Sequence, residues 1–206
     1  MSRIVLVRHG ETVWHGENRY AGSSDIELTE RGREQAQALT LWAVSANISR
    51  IYVSPLGRAQ LTARPVAATL GLIPVIDNRL RELDFGEGEG LTSREMRERF
   101  PQQYAAFCRN PVEHYLPGGE NPRAAIARGR ALLDEIAAET DSHSRVLLVT
   151  HNTLIRLLLC DLLDISPCRY RQVFPSLGNV SITEIVHGEK VAALLHFNCP
   201  IAGVLS

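Results

Sequence analysis

The chain has 206 residues, 45% of them hydrophobic and 22% charged, and a formal net charge of -1 from 22 basic and 23 acidic side chains. That length fills one domain with a full core and leaves little room for a second, and the composition excludes disordered and fibrous classes. Near-neutrality gives no bulk field for nucleic acid or an anionic membrane, although a local basic pocket stays open. No apolar run reaches the ~18 residues of a membrane span. The longest, Leu154–Leu163, is broken by Arg156 and Asp161, and Ile4–Val7 is too short for the core of a signal peptide. A cytoplasmic protein is expected. Cys108, Cys160, Cys168 and Cys199 show no CxxC spacing and are expected as reduced thiols in or near the core. The histidines form no HxxxH pair, so neither zinc nor another metal is expected.

In chain order, Ile4–Val7 predicts a buried parallel strand. Thr29–Val44 has helical spacing through Ala36, Leu39 and Ala43, with Thr29 as cap. Ile51–Val53 predicts a second strand. Ser54-Pro55 then predicts a cap and first turn for a helix to Leu70, stopped by Gly71. Ile73–Ile76 predicts a third strand, placed at an edge or a strand start by Pro74. From about 79 to 122 the character changes: a glycine-rich stretch at Gly86–Gly90, polar helical segments over Thr92–Arg109, and a turn at Leu116–Gly119. This span is expected to cover one end of the sheet. Arg123–Thr140 predicts a helix, Val146–Val149 a strand, His151–Leu163 a helix, and Ser181–Val186 with Lys190–His196 a hairpin. The alternation predicts an α/β fold, a three-layer α/β/α sandwich on a mostly parallel sheet.

Three polar clusters fall just past predicted strand ends: Arg8-His9-Gly10, Ser54 to Arg58, and Thr150-His151-Asn152. That edge of an open α/β sheet is where ligands bind. Arg58 in a first helical turn is opposed by the helix dipole unless an anion binds there; alone it reads equally as a surface arginine. Arg8 follows a strand buried on both faces, so its charge needs either a structural partner or a ligand. Together the two guanidinium forks favour phosphate. With two imidazoles on the same edge, one can attack phosphorus while the other steadies the transferring oxygens. Gly10 permits close backbone approach.

Leu6-Val7-Arg8-His9-Gly10-Glu11-Thr12 resembles the signature of the histidine phosphatase superfamily, the phosphoglycerate mutase-like branch 1. The resemblance continues through Arg19-Tyr20-Ala21-Gly22, Asp25, Leu28-Thr29 and Gly32. It resumes in Ser54-Pro55-Leu56-Gly57-Arg58-Ala59, Thr62-Ala63, Arg81–Gly86, Glu89-Gly90, Gly119-Glu120 and Val149-Thr150-His151, covering nearly the whole chain. It implies a phosphoglycerate mutase-like fold and phosphoryl transfer with no metal or other cofactor. Carried over by position, His9 is the nucleophile that becomes phosphohistidine. Arg8, Arg58 and His151 surround the phosphate, and Glu82 donates a proton to the leaving oxygen. From the residues alone Asp84, Glu87 and Glu89 rival Glu82, and Leu83 and Phe85 could give it apolar cover. The phosphate-binding set is expected to include His15, Gly22 and Asn152 as well.

Three positions depart from the family pattern. His15 stands where an asparagine usually contacts phosphate, so either it takes that contact, bringing titration near its ~6.5 reference value, or the contact is lost. Asn152 replaces a glycine and adds a side chain at the pocket wall. Gly88 replaces a tryptophan, leaving the loop before Glu89 without an anchor.

The span between the acid loop and the second histidine is compact, which favours a small phosphatase over a mutase. A non-catalytic binding module is the third reading. The resemblance offers a phosphorylated metabolite as partner, with sugar phosphates and the ribazole phosphate type among the candidates, and leaves room for a homodimer. Tyr104–Cys108 and Gly119-Glu120 resemble the ribazole branch; His114, Tyr115 and Arg123 are candidate substrate-side contacts.

Overall fold

The computed structural model describes residues 2–140, 144–188 and 191–201. Six strands form one sheet: β1 (Ser2–Arg8), β2 (Ile48–Val53), β3 (Val75–Ile76), β4 (Arg145–Thr150), β5 (Ile182–Gly188) and β6 (Val191–Cys199), in spatial order β3-β2-β4-β1-β5-β6. The pairs β2–β3, β2–β4 and β1–β4 are parallel, and β5 and β6 add an antiparallel margin beside β1. The fold is mixed α/β with the mostly parallel sheet that the alternating pattern predicts.

Both faces of the central strands are covered, which is why they read as unbroken apolar runs. Ile4 and Leu6 join Val146 and Leu148 in a core on one face, under α5 (Pro122–Glu139) and α6 (Asn152–Leu162). Val5 and Val7 join Leu147 and Val149 in the core on the other, under α1 (Glu30–Ser45) and α2 (Gly57–Leu70). At Gly129 of α5 an added Cβ would stand 3.0 Å from Leu158 of α6, so the two helices approach as closely as a glycine allows.

Several boundaries differ from expectation. Thr29 caps α1 as predicted, its hydroxyl accepting from the Gly32 N–H at 3.0 Å. Helix α2, by contrast, opens at Gly57 rather than Pro55; the Ser54 hydroxyl accepts from the Leu56 N–H at 3.3 Å and also pairs with His151 at 2.7 Å. Strand β3 shrinks to two residues at the sheet edge; Ile73 is 91% exposed and, with Pro74, precedes it. Asn121 caps α5, with Pro122 in its first turn, one residue ahead of the predicted start. The hairpin is longer than predicted on both arms: His187 and Gly188, expected in the turn between the two predicted strands, belong to β5, while Glu189 of that turn and Lys190, the expected start of the second strand, lie outside the described residues.

Between β3 and α5, α3 (Ser93–Arg99) and α4 (Pro101–Arg109) build a separate apolar cluster from Met96, Phe100, Tyr104 and Phe107, which Tyr20 and Phe85 flank. Cys108 falls on the outer side of α4 and is exposed, against expectation, whereas Cys160 is buried and Cys168 and Cys199 are partly so; all four are free thiols. Among the described residues no helix is long and apolar enough to cross a membrane.

Candidate active site

The C-terminal ends of β1, β2 and β4 bring the three polar clusters together. His9 follows β1, Ser54 follows β2 and His151 follows β4, and the His9 and His151 rings lie 5.1 Å apart. His9 is buried. Its Nδ1 lies 2.7 Å from the Gly10 carbonyl, which can only accept, and its Nε2 lies 3.3 Å from the Nε–H of Arg58, which can only donate. The network therefore assigns the proton to Nδ1 and a lone pair to Nε2. Burial, then the charges of Arg58 and Arg8, hold the ring well below the usual histidine range, so it is neutral.

His151 is fully buried, and burial followed by the Arg58 charge lowers its affinity for a proton too. Its Nε2 lies 2.7 Å from the Ser54 hydroxyl, and its Nδ1 is buried without a protein partner. A buried polar atom so placed is costly unless something fills it.

Arg58 is also fully buried. Its Nη1 donates to Ser24 O (2.6 Å) and its Nη2 to Gly22 O (2.8 Å) and Ala21 O (3.3 Å). Arg58 thus ties the 21–24 loop to His9 rather than presenting an open fork. Arg8 donates to Leu177 O at 2.7 Å, its Nη2 lies 2.5 Å from Nε2 of His15, and its Nε is buried and unpartnered. Burial lowers its pKa to about 10, still cationic.

Glu82 is 4% exposed, under Leu83. Its Oε1 accepts from the N–H groups of Leu83 (3.0 Å) and Leu154 (3.1 Å), and its Oε2 from that of Thr153 (2.9 Å). The carboxyl therefore sits on the N-terminus of α6, one turn from His151. Of its rivals, Glu89 has a different task. It takes hydrogen bonds from the backbones of Gly22, Ser23, Ser24 and Phe85 and from the Ser24 hydroxyl, and so anchors the loop that the missing tryptophan was expected to leave loose. Gly22 allows this closeness: a Cβ there would stand 2.2 Å from Glu89 Oε1 and 2.1 Å from Leu83 O. Gly22 touches Arg58 rather than lining the cavity.

An open cavity of about 370 Å³ lies over these groups, lined in part by Arg8, His9, His15, Glu82 and Asn152; Arg58 and His151 stand behind its wall. His114 and Tyr115 are exposed and Arg123 pairs with Glu113, and none of the three lines it. Sequence reasoning passed over Asn179, whose amide donates to His9 O at 2.8 Å, because it lies 170 residues away from His9. Among the described residues no group of three or more His, Cys, Asp or Glu is placed to hold a metal ion.

His15 lines the cavity against Arg8, with Nδ1 2.8 Å from Thr12 Oγ1. The expected titration near 6.5 is corrected: burial, then the Arg8 charge, lowers its pKa to about 4. Between 6.5 and 4 the unfolded chain binds a proton there that the folded chain does not, so stability is full above 6.5 and falls as the pH drops through that window. At pH 5 the loss from His15 is on the order of 1 kcal/mol after allowance for its partial exposure. Urea unfolding of wild type and His15→Asn at pH 7 and pH 5 should show a smaller drop in the variant; equal drops would refute the assignment.

An α/β protein with two histidines and two arginines gathered at one parallel-strand edge is built to hold an anion there. The sequence profile of the histidine phosphatase superfamily (branch 1) matches residues 4–200. Phosphoserine phosphatase 1 of Hydrogenobacter thermophilus is 28% identical over 199 residues, 97% of this chain and 94% of the relative. A 2,3-bisphosphoglycerate-dependent phosphoglycerate mutase of Gloeobacter violaceus is 33% identical over 177 residues, 84% of this chain and 81% of the relative. The solved alpha-ribazole phosphatase of Shigella flexneri superposes with a TM-score of 0.85 at 29% identity, covering 99% of this chain and 100% of that one. The chain belongs to the histidine phosphatase superfamily, branch 1.

Proposed function

We propose that the chain, as one domain over residues 1–206 with the 79–122 span covering the site, hydrolyses a small phosphomonoester without a metal ion. The observation that carries this is the Nε2 lone pair of His9, held neutral between two arginines. Nε2 attacks phosphorus, the P–O bond to the alcohol breaks, and Glu82 gives its proton to the departing oxygen. Water then attacks the phosphohistidine and returns a proton to Glu82, and inorganic phosphate leaves with the P–N bond broken. Arg8 Nε and His151 Nδ1, both buried and unpartnered, supply donors to the transferring oxygens. His15 and Asn152 border them at the cavity wall, and Arg58 and Gly22 fix His9 from behind.

Relatives named as phosphatases support hydrolysis, and the relative named as a mutase supports the alternative in which a second phosphate ester, not water, is the acceptor. Turnover of p-nitrophenyl phosphate in a metal chelator between pH 5 and 8, with acid-labile, base-stable label on the protein from a ³²P-labelled substrate, tests the reading. No turnover and no label would sink it. Isomerisation of 3-phosphoglycerate in 2,3-bisphosphoglycerate outrunning phosphate release would select the mutase. A cytoplasmic homodimer is proposed as well; the exposed Ile73, Val75 and Ile76 at the β3 edge support the pairing, which sedimentation velocity checks.

A further inference from the structure

Residues 177–180 lead into β5 and fasten onto the end of β1, next to His9. The Leu177 carbonyl accepts from Arg8 Nη1 at 2.7 Å, and the Val180 N–H donates to the Arg8 carbonyl at 2.9 Å. Between them, the Asn179 amide donates to the His9 carbonyl at 2.8 Å. That oxygen belongs to the peptide group joining His9 to Gly10, whose N–H donates to the Thr62 hydroxyl at 3.0 Å. Thr62 is itself held, donating to Arg58 O at 2.7 Å. One planar peptide unit is thus gripped at both ends, from α2 on one side and from the approach to β5 on the other. The next carbonyl along, Gly10 O, is the one that meets Nδ1 of His9.

Asn179 sits on a strained backbone. Its neighbour Val180 has φ 56°, in the left-handed region, where a β-branched residue is a genuine outlier. Such a conformation persists only when its surroundings over-determine it. Here the Val180 side chain is 1% exposed in the core it shares with Val5 and Val7, and its N–H is engaged by Arg8 O. On the other side of Asn179, Gly178 is tied through its N–H to Asn198 Oδ1 at 2.8 Å and through its carbonyl to the Ser181 hydroxyl at 2.9 Å. The backbone carrying Asn179 therefore has little freedom to follow a moving His9. Its amide nitrogen also lies 3.3 Å from His15 Nε2.

We propose that Asn179 is a positioning residue for phosphoryl transfer: its amide fixes the His9–Gly10 peptide plane, and through it the contact between Nδ1 and Gly10 O that leaves the lone pair on Nε2. Asn179 does not line the cavity, so it acts through His9 and not on the phosphate. The inference rests on the reading of His9 as nucleophile. The competing account makes the amide a loop fastening, which stabilises the chain and leaves the imidazole as it is.

Asn179→Leu keeps the branched shape without the donor, and Asn179→Ala removes both. Each full-length variant, in saturating excess over p-nitrophenyl phosphate and in a chelator, is followed through a single turnover. The rate constant, unlike the amplitude, does not depend on the folded fraction. It should fall about tenfold in both variants, the worth of one buried hydrogen bond lost from the attacking geometry. Nitrogen-15 NMR of the imidazoles, with the His9 signals identified by their loss in His9→Ala, should show the Nδ1–H form of wild type giving way to a mixture of tautomers. Should Asn179→Ala not fold, Asn179→Leu carries both measurements. An unchanged rate constant, or a slower one with the His9 tautomer unaltered, overturns the positioning role. If wild type turns over no p-nitrophenyl phosphate, the phosphatase reading fails instead. The NMR comparison then decides alone whether Asn179 sets His9, identical tautomers rejecting it.

Discussion

Replacing His9 with alanine is expected to lower turnover of any phosphomonoester by about 10⁴-fold or more and to abolish acid-labile label on the protein. The size follows from what no neighbour can supply. Nε2 of His9 is a lone pair whose tautomer is set by the Gly10 carbonyl and whose neutrality is set by burial and two guanidiniums. His151, 5.1 Å away, is also neutral, but its Nε2 is engaged with Ser54. It cannot take over as nucleophile without breaking that pair. Thermal unfolding should change little, because the cavity beside His9 admits water to the Arg58 Nε that loses its acceptor. A variant that retains turnover and label would remove His9 from the chemistry.

Glu82→Gln is expected to be nearly as damaging for substrates with alkyl leaving groups, by about 10²- to 10⁴-fold in kcat. An alkoxide leaves poorly without a proton, whereas p-nitrophenolate leaves without one. The loss should therefore be much smaller with p-nitrophenyl phosphate, and comparing the two leaving groups separates an acid from a structural carboxylate. Glutamine also turns an amide N–H₂ towards the Thr153 N–H or breaks the bonds to Leu83 and Leu154, at about 1–3 kcal/mol of stability. Equal losses for both leaving groups would mean that Glu82 only holds α6 in place.

Much of this arrangement was legible in the residues. The unbroken apolar runs of β1 and β4 predict strands buried on both faces, and their polar ends mark the edge where His9 and His151 meet. Where the reading slipped, a distant partner had taken a group with a strong local preference. Ser54 is a good helix cap by type and still accepts from the Leu56 N–H, but its hydroxyl is shared with His151, 97 residues away. Glu89 in a glycine-rich stretch reads as solvated, because nothing local reveals the five donors contributed by the 22–24 loop and Phe85. His15 was visible as a departure, yet its titration depends on Arg8 and on burial.

The first turn of α6 carries more than a boundary. His151 stands at its N-cap, Glu82 hangs from the N–H groups of Thr153 and Leu154, and Asn152 borders the cavity between them. The first turn of α6 thus fixes the Glu82 carboxyl and carries Asn152 at the cavity wall, and the body of the helix is seated against α5 at Gly129. A larger side chain at the buried Gly129–Leu158 contact would push that helix, so a substitution remote from His9 is expected to lower turnover through the position of Glu82.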